Sequence, residues 1–140
     1  MKLVRKKIFI ATHANLSEGF KNAAKLIVGN SADDITTFSL NEGDSAEDFK
    51  NEIKQYKEEH AETDVLVLTD LYGASLFNAM IALHAVKGIY ILTGINLSLL
   101  LDLLLEDRAM DYNLLQEKIK GSKKGMMLLE NIDVSVEDDF

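Results

Sequence analysis

The sequence predicts a three-layer α/β fold, built on a doubly wound, mainly parallel sheet of strand order 2-1-3-4. Short apolar runs alternate with longer segments of helical period along the chain, the pattern of βαβ units. The clearest run, Asp64-Val65-Leu66-Val67-Leu68-Thr69, is unbroken, as expected of a central parallel strand covered on both faces. The 140 residues, 47% hydrophobic and 27% charged, suit one domain, 1–140, with a core of its own.

The first strand is expected at 7–11, where Ile8-Phe9-Ile10-Ala11 is apolar. A helix follows at 16–28, with Leu16, Phe20, Ala23, Ala24 and Ile27 on one face and Gly29-Asn30 as its stop. Asn15, with Glu18 three residues on, resembles a capping box. Residues 34–40 form the second strand. Ser45 then caps a charged helix to residue 59, whose narrow apolar stripe is Phe49, Ile53 and Tyr56. After the 64–69 strand, Gly73-Ala74-Ser75 leads into a helix to residue 86. The fourth strand is 88–93, and Gly94-Ile95-Asn96 turns into a leucine-rich helix at 97–106, whose run of leucines serves core or interface. A last helix spans 111–120, a weak strand 126–129, and an acidic end, Glu137-Asp138-Asp139, is expected to be solvated.

Right-handed connections between neighbouring strands lead to the order 2-1-3-4. The chain turns to one side after strand one and to the other after strand three, so a crevice opens between their C-terminal ends. His13 ends strand one and Asp70 ends strand three, on opposite sides of that crevice. Imidazole is a good nucleophile near neutral pH, and a carboxylate bonded to one ring nitrogen fixes the tautomer and exposes the other. The helix starts beside such a crevice have free N–H groups that favour anions. A histidine in that place points to phosphoryl chemistry. Ser75 opens the helix after strand three, where its hydroxyl can meet a phosphoryl oxygen or cap the helix. Thr12, Thr69 and Asn96 stand at strand ends, as pocket lining or as turn residues. His60 and His84 lie at or near helix ends and are expected to be structural or solvated.

Several function classes are disfavoured. The formal net charge of −8 argues against nucleic-acid binding and suits docking of a basic partner. Without cysteine there is neither a disulfide framework nor a thiolate metal site. The basic start, Lys2 to Lys7, precedes too short an apolar run for a signal peptide, and the leucine-rich run is too short to span a bilayer. Ala11-Thr12-His13-Ala14-Asn15 lacks the glycines of a dinucleotide turn, and no phosphate loop of the G-x-x-x-x-G-K-[ST] type occurs. A receiver-like module phosphorylated on Asp70 would need acidic residues at the end of strand one to hold Mg²⁺, where Thr12-His13 stands.

Three segments, Ile10-Ala11-Thr12-His13, residues 68–78 (Leu68-Thr69-Asp70-Leu71-Tyr72-Gly73-Ala74-Ser75-Leu76-Phe77-Asn78) and Thr93-Gly94-Ile95-Asn96-Leu97, occur in order, each at a strand end. Together they resemble the IIA domains of the mannose-family phosphoenolpyruvate:sugar phosphotransferase system, over roughly 7–125. The resemblance implies a cytoplasmic phosphohistidine carrier without a bound cofactor. His13 would take phosphoryl from the carrier protein HPr and pass it to a IIB component, meeting the membrane components IIC and IID only indirectly. It maps the family's histidine-bonded aspartate onto Asp70 and its phosphoryl-contacting serine onto Ser75. It also implies a homodimer whose C-terminal strand crosses to the partner's sheet, with 126–129 as the matching segment. The chain departs from the family at four positions. Ala14 stands where glycine is usual, Gly73-Ala74-Ser75-Leu76 replaces Gly-Gly-Ser-Pro, and Ser98 replaces proline. An alanine beside an anion pocket narrows it and disfavours positive φ. The alternative is a non-transferring regulatory or interaction module of the same fold.

Overall fold

The computed structural model describes residues 5–72 and 75–130; of Ser75 it describes the backbone and not the side chain. Four strands form one sheet, β1 (Lys6–His13), β2 (Thr36–Leu40), β3 (Asp64–Thr69) and β4 (Ile89–Leu92), in the order β2-β1-β3-β4. Every pairing is parallel, Ile10 with Thr37 and with Leu68 on its two sides, and Leu68 with Leu92. The helices are α1 (Leu16–Val28), α2 (Glu47–Glu59), α3 (Ser75–Ile81), α4 (Leu97–Leu105) and α5 (Tyr112–Lys123).

The strict alternation of side chains along each strand sorts the core into two layers. Ile8, Ile10, Leu66, Leu68 and Leu92 point to one face, where they pack with Ala24 of α1, Leu99, Leu100 and Leu103 of α4, and Leu114 and Leu115 of α5. Phe9, Ala11, Val65, Val67 and Ile89 point to the other, against Phe49 and Ile53 of α2 and Leu76 and Met80 of α3. Phe49 stands edge-on to Phe9 and stacks on Phe38, with ring centroids 5.8 and 4.7 Å apart. The leucines of α4 are thus largely core, though Leu105 is exposed. Away from the β-strand C-termini, Lys118 bonds both Asp102 (2.7 Å) and Glu106 (2.8 Å) and so ties α5 to α4. Hydrogen bonds from Arg108 and Lys118 hold the Glu106 carboxyl far below the usual carboxylate range.

The helix expected to run to residue 86 ends as α-helix at Ile81 and tightens into a 3₁₀ turn at Ala82–Ala85. The shift to i→i+3 bonding, Val86 N–H to Leu83 C=O at 3.0 Å, brings the chain into the edge strand β4. The second strand starts at Thr36 rather than 34, because Asp33 and Ile35 are bonded back into the turn that follows α1. Residues 126–129 lie in no strand among the described residues. They leave α5 through a turn at Lys123–Met126, and Met126 and Leu128 are 88% and 82% exposed. A strand needs an open ladder beside it, and this segment lies against none among the described residues. The acidic end at 137–139 lies outside the described residues. No helix among the described residues is long and apolar enough to cross a membrane.

Candidate functional site

β1 turns to β2 on one side and β3 to β4 on the other, so the C-terminal ends of β1 and β3 bound the crevice at the switch point of the sheet. β1 carries His13 as its last residue, and Asp70 directly follows β3. The pairing of Ala11 with Thr69 brings these two strand ends level. Asp70 Oδ2 accepts a hydrogen bond from the His13 main-chain N–H at 3.1 Å. His13 Nδ1 lies 3.2 Å from Asp70 Oδ1 and 3.1 Å from Oδ2. The carboxylate is largely buried, 12% exposed, whereas the imidazole is 44% exposed. An acceptor-only carboxylate beside Nδ1 places the proton there and leaves Nε2 as the basic nitrogen. An imidazole open to solvent is therefore held by a largely buried carboxylate that also grips its backbone.

After His13 the chain reverses through Ala14, which lies in the left-handed region with φ +47°. Its N–H donates to Leu40 C=O of β2 at 2.9 Å, which holds the reversal against the neighbouring strand. That conformation costs a non-glycine residue about 1–2 kcal/mol. The Ala14 side chain is exposed, so deleting its methyl group loses little packing. Ala14→Gly is accordingly expected to stabilise the protein by about 0.5–1 kcal/mol, after allowance for the extra freedom of glycine in the unfolded chain. An increased urea midpoint at unchanged slope would register it; an unchanged or lowered midpoint would contradict the strain.

The structure distributes the other candidate residues differently. Thr12 is fully buried, and its hydroxyl accepts from the Ser17 N–H of α1 at 2.7 Å. Asn15, the expected cap, makes no side-chain cap bond. Ser17, at the helix start expected to offer donors to the crevice, is also fully buried and donates from its hydroxyl to Phe38 C=O at 3.0 Å. Asn96 caps α4 by accepting from Leu99 N–H at 2.8 Å and donates to Ser122 C=O of α5 at 3.1 Å. It lines a cavity of about 250 Å³ with Thr93, Ser122 and Lys123. Thr69 is fully buried beside Ala11, and its hydroxyl has no hydrogen-bond partner among the described residues; the Thr93 hydroxyl is likewise without one among them. Leu68 pairs with Leu92, so Thr69, the last residue of β3, and Thr93, which follows β4, are the next residues outward along these neighbouring strands. The Ser75 side chain lies outside the described residues, as do Gly73 and Ala74 before it. Leu76, at the site's third departure from the family pattern, is fully buried in the core. His60 stacks on Tyr56 at the end of α2, and His84 sits in the 3₁₀ turn after α3. Among the described residues no three His, Asp or Glu side chains converge as a metal site would require.

A family model described as the PTS system fructose IIA component matches residues 7–120. Among solved structures, phosphotransferase system component EIIA from Streptococcus agalactiae is 30% identical, with a TM-score of 0.70 over 86% of this chain and 95% of its own. The PTS IIA protein associated with the fucose utilization operon from Streptococcus pneumoniae is 26% identical, with a TM-score of 0.74 over 91% of this chain and 96% of that one. The mannose/sorbose specific IIA subunit from Enterococcus faecalis has a TM-score of 0.79 over 94% and 99% of the two chains; at 18% identity this likeness concerns the fold alone.

Proposed function

We propose that this chain, which belongs to the family of PTS system fructose IIA components of sugar phosphotransferase systems, is a phosphocarrier that takes its phosphoryl group on His13. The observation that carries the reading is the double hold of Asp70 on His13, through the ring Nδ1 and the main-chain N–H. In the proposed transfer the Nε2 lone pair attacks the phosphorus of a donor phosphohistidine. The new N–P bond forms as the donor's N–P bond breaks, and the released electron pair stays on the donor imidazole. The proton on Nδ1 does not move; it remains on the hydrogen bond to Asp70, which stabilises the positive charge that the ring acquires. The handover is the same step with His13 as donor. Because the two phosphoimidazoles, both N–P phosphoramidates, are nearly equal in energy, the task of the protein is positioning and charge stabilisation, without a bound cofactor.

HPr is the proposed donor and a IIB component the acceptor, both meeting the carrier in the cytoplasm, with IIC and IID engaged only through IIB and nucleic acid playing no part. Thr69 supports the reading with a buried hydroxyl that has no partner among the described residues. Ser75 is the proposed phosphoryl contact at the start of α3, with Thr12 and Asn96 supporting the two flanking loops. The proposed unit is the single domain 1–140, and the carrier is a homodimer. Residues 126–129, apolar and exposed, are the segment that would cross to the partner sheet.

The test is intact-mass analysis after incubation with phosphoenolpyruvate, enzyme I and HPr, followed by addition of a cognate IIB. One acid-labile phosphoryl adduct that disappears when IIB is added is the expected result. An adduct that forms but is not passed on would favour a regulatory module. No adduct, from folded protein beside an active control IIA, would remove the carrier reading altogether.

A further inference from the structure

Thr12 and Ser17 form a buried clamp beneath the reactive histidine, and neither is needed for the fold's hydrophobic layering. Thr12 is the residue before His13, and Ser17 lies in the first turn of α1; both are fully buried. Between them run His13, Ala14, Asn15 and Leu16, the turn that carries the nucleophile. One bond closes this turn across its base, Ser17 N–H to Thr12 Oγ1 at 2.7 Å. A second bond, Ser17 Oγ to Phe38 C=O at 3.0 Å, ties the closed turn to β2, with Ser39 Oγ 3.4 Å away. A third, Ala14 N–H to Leu40 C=O, reaches β2 from the turn's outer side.

Strained backbone persists only where its surroundings over-determine it. Ala14 at φ +47° is such a residue, and the three bonds surround it. The usual device for starting α1, an Asn15 cap, is unused. Had Asn15 made the cap, the turn would be anchored from its exposed side and the strand end would be free to fray. With Thr12 making it, the anchor lies on the residue whose neighbour must present both its main-chain N–H and Nδ1 to one carboxylate.

We infer that Thr12, through Ser17, is a positioning residue for His13: the clamp holds the 13–16 turn in the strained conformation in which Asp70 can fix the imidazole tautomer. The inference rests on the carrier reading for its kinetic consequence, but its structural consequence can be read without phosphoryl transfer. It also gives Thr12 a duty different from contact with the phosphoryl group, since its hydroxyl is buried and already accepts.

Thr12→Val removes the hydroxyl at nearly constant shape and leaves the buried Ser17 N–H without its acceptor. Thr12→Ser retains the acceptor. Two readouts separate positioning from plain support. One is the His13 tautomer from ring ¹⁵N shifts in the unphosphorylated protein; the other is the rate of phosphoryl uptake from phosphorylated HPr. Thr12→Val is expected to weaken the preference for Nδ1–H and to slow uptake about tenfold, whereas Thr12→Ser restores both, with uptake within about twofold of wild type. Ser17→Ala keeps the Thr12 bond but cuts the tie to β2; it is expected to slow uptake about threefold and decides the question if Thr12→Val does not fold. A variant that melts lower yet keeps the wild-type tautomer and uptake rate would overturn the inference. Wild-type protein that takes up no phosphoryl group would refute the carrier reading instead, while the tautomer comparison would still judge the clamp.

Discussion

His13→Ala is expected to abolish phosphoryl uptake while leaving the fold in place. The loss should be complete because no second imidazole can substitute. His60 is stacked on Tyr56 with ring centroids 4.0 Å apart, at the far end of α2 from the strand C-termini. His84 belongs to the 3₁₀ turn that precedes β4 and so lies toward the N-terminal end of the strands, opposite the end that carries His13. The fold should survive for equally specific reasons. The imidazole is 44% exposed and lies above the two core layers rather than within them. The main-chain N–H of residue 13 remains in the variant, so Asp70 retains one of its hydrogen bonds. Loss of the hydrogen bond between the half-exposed ring and the Asp70 carboxylate is expected to cost about 1–3 kcal/mol, less than the stability of a typical domain. Intact mass before and after incubation with phosphorylated HPr, alongside a thermal melt, reads both halves of the expectation. An adduct on folded His13→Ala would place the phosphoryl group elsewhere, and an acyl phosphate on Asp70 would be its first suspect, recognised by its lability to base.

The placement of that histidine was legible because it follows from topology, which follows from pattern. The apolar runs at 8–11 and 64–69 could only be adjacent buried strands, and right-handed connections then left His13 and Asp70 across one crevice. The same alternation made the two core layers readable, since Ile8 and Ile10 had to oppose Phe9 and Ala11. What stayed hidden depended on partners distant in sequence or on backbone angles. Thr12 at a strand end reads equally as pocket lining or turn residue; only the return of α1 over β1 reveals that its hydroxyl serves Ser17. Asn15 and Glu18 had the spacing of a capping box, yet a cap depends on geometry at the junction, and there Thr12 reaches the helix instead. The 3₁₀ turn at Ala82–Ala85 carries no glycine or proline to mark it, so periodicity runs through it unbroken. Residues 126–129 have strand-like apolar character, but a strand is a relation to a neighbour, and the described residues supply none beside them. The positive φ at Ala14 had one hint, the glycine usual at that place in the resembling family, and the backbone shows why glycine suits it.

Asp70→Asn is expected to slow phosphoryl uptake by about a hundredfold without unfolding the protein, and the reason lies in counting donors. His13 presents two N–H groups to position 70, one from the main chain and one from Nδ1, and the carboxylate accepts both. Asparagine has a single acceptor oxygen and a donor NH₂ in nearly the same shape. If its oxygen takes the main-chain N–H, the NH₂ faces Nδ1 and drives the ring proton to Nε2, the nitrogen that must attack. If its oxygen takes Nδ1–H, the main-chain N–H faces a second donor and the strained turn at Ala14 loses an anchor. Either arrangement also removes the negative charge that stabilises the developing imidazolium. A hydrogen bond to a charged group contributes about 1.5–3 kcal/mol, and each 1.36 kcal/mol is a factor of ten in rate, so the charge alone accounts for roughly one to two decades. Asp70→Glu preserves the charge but displaces the carboxylate by one methylene, so it should lie between wild type and Asp70→Asn. Rates from rapid-quench transfer, read beside the His13 ring ¹⁵N shifts, check the argument as a pair. A slow Asp70→Asn with the proton still on Nδ1 would assign the effect to charge, whereas a proton found on Nε2 would assign it to the tautomer. An Asp70→Asn variant as fast as wild type would show that the buried carboxylate braces the turn and takes no part in transfer.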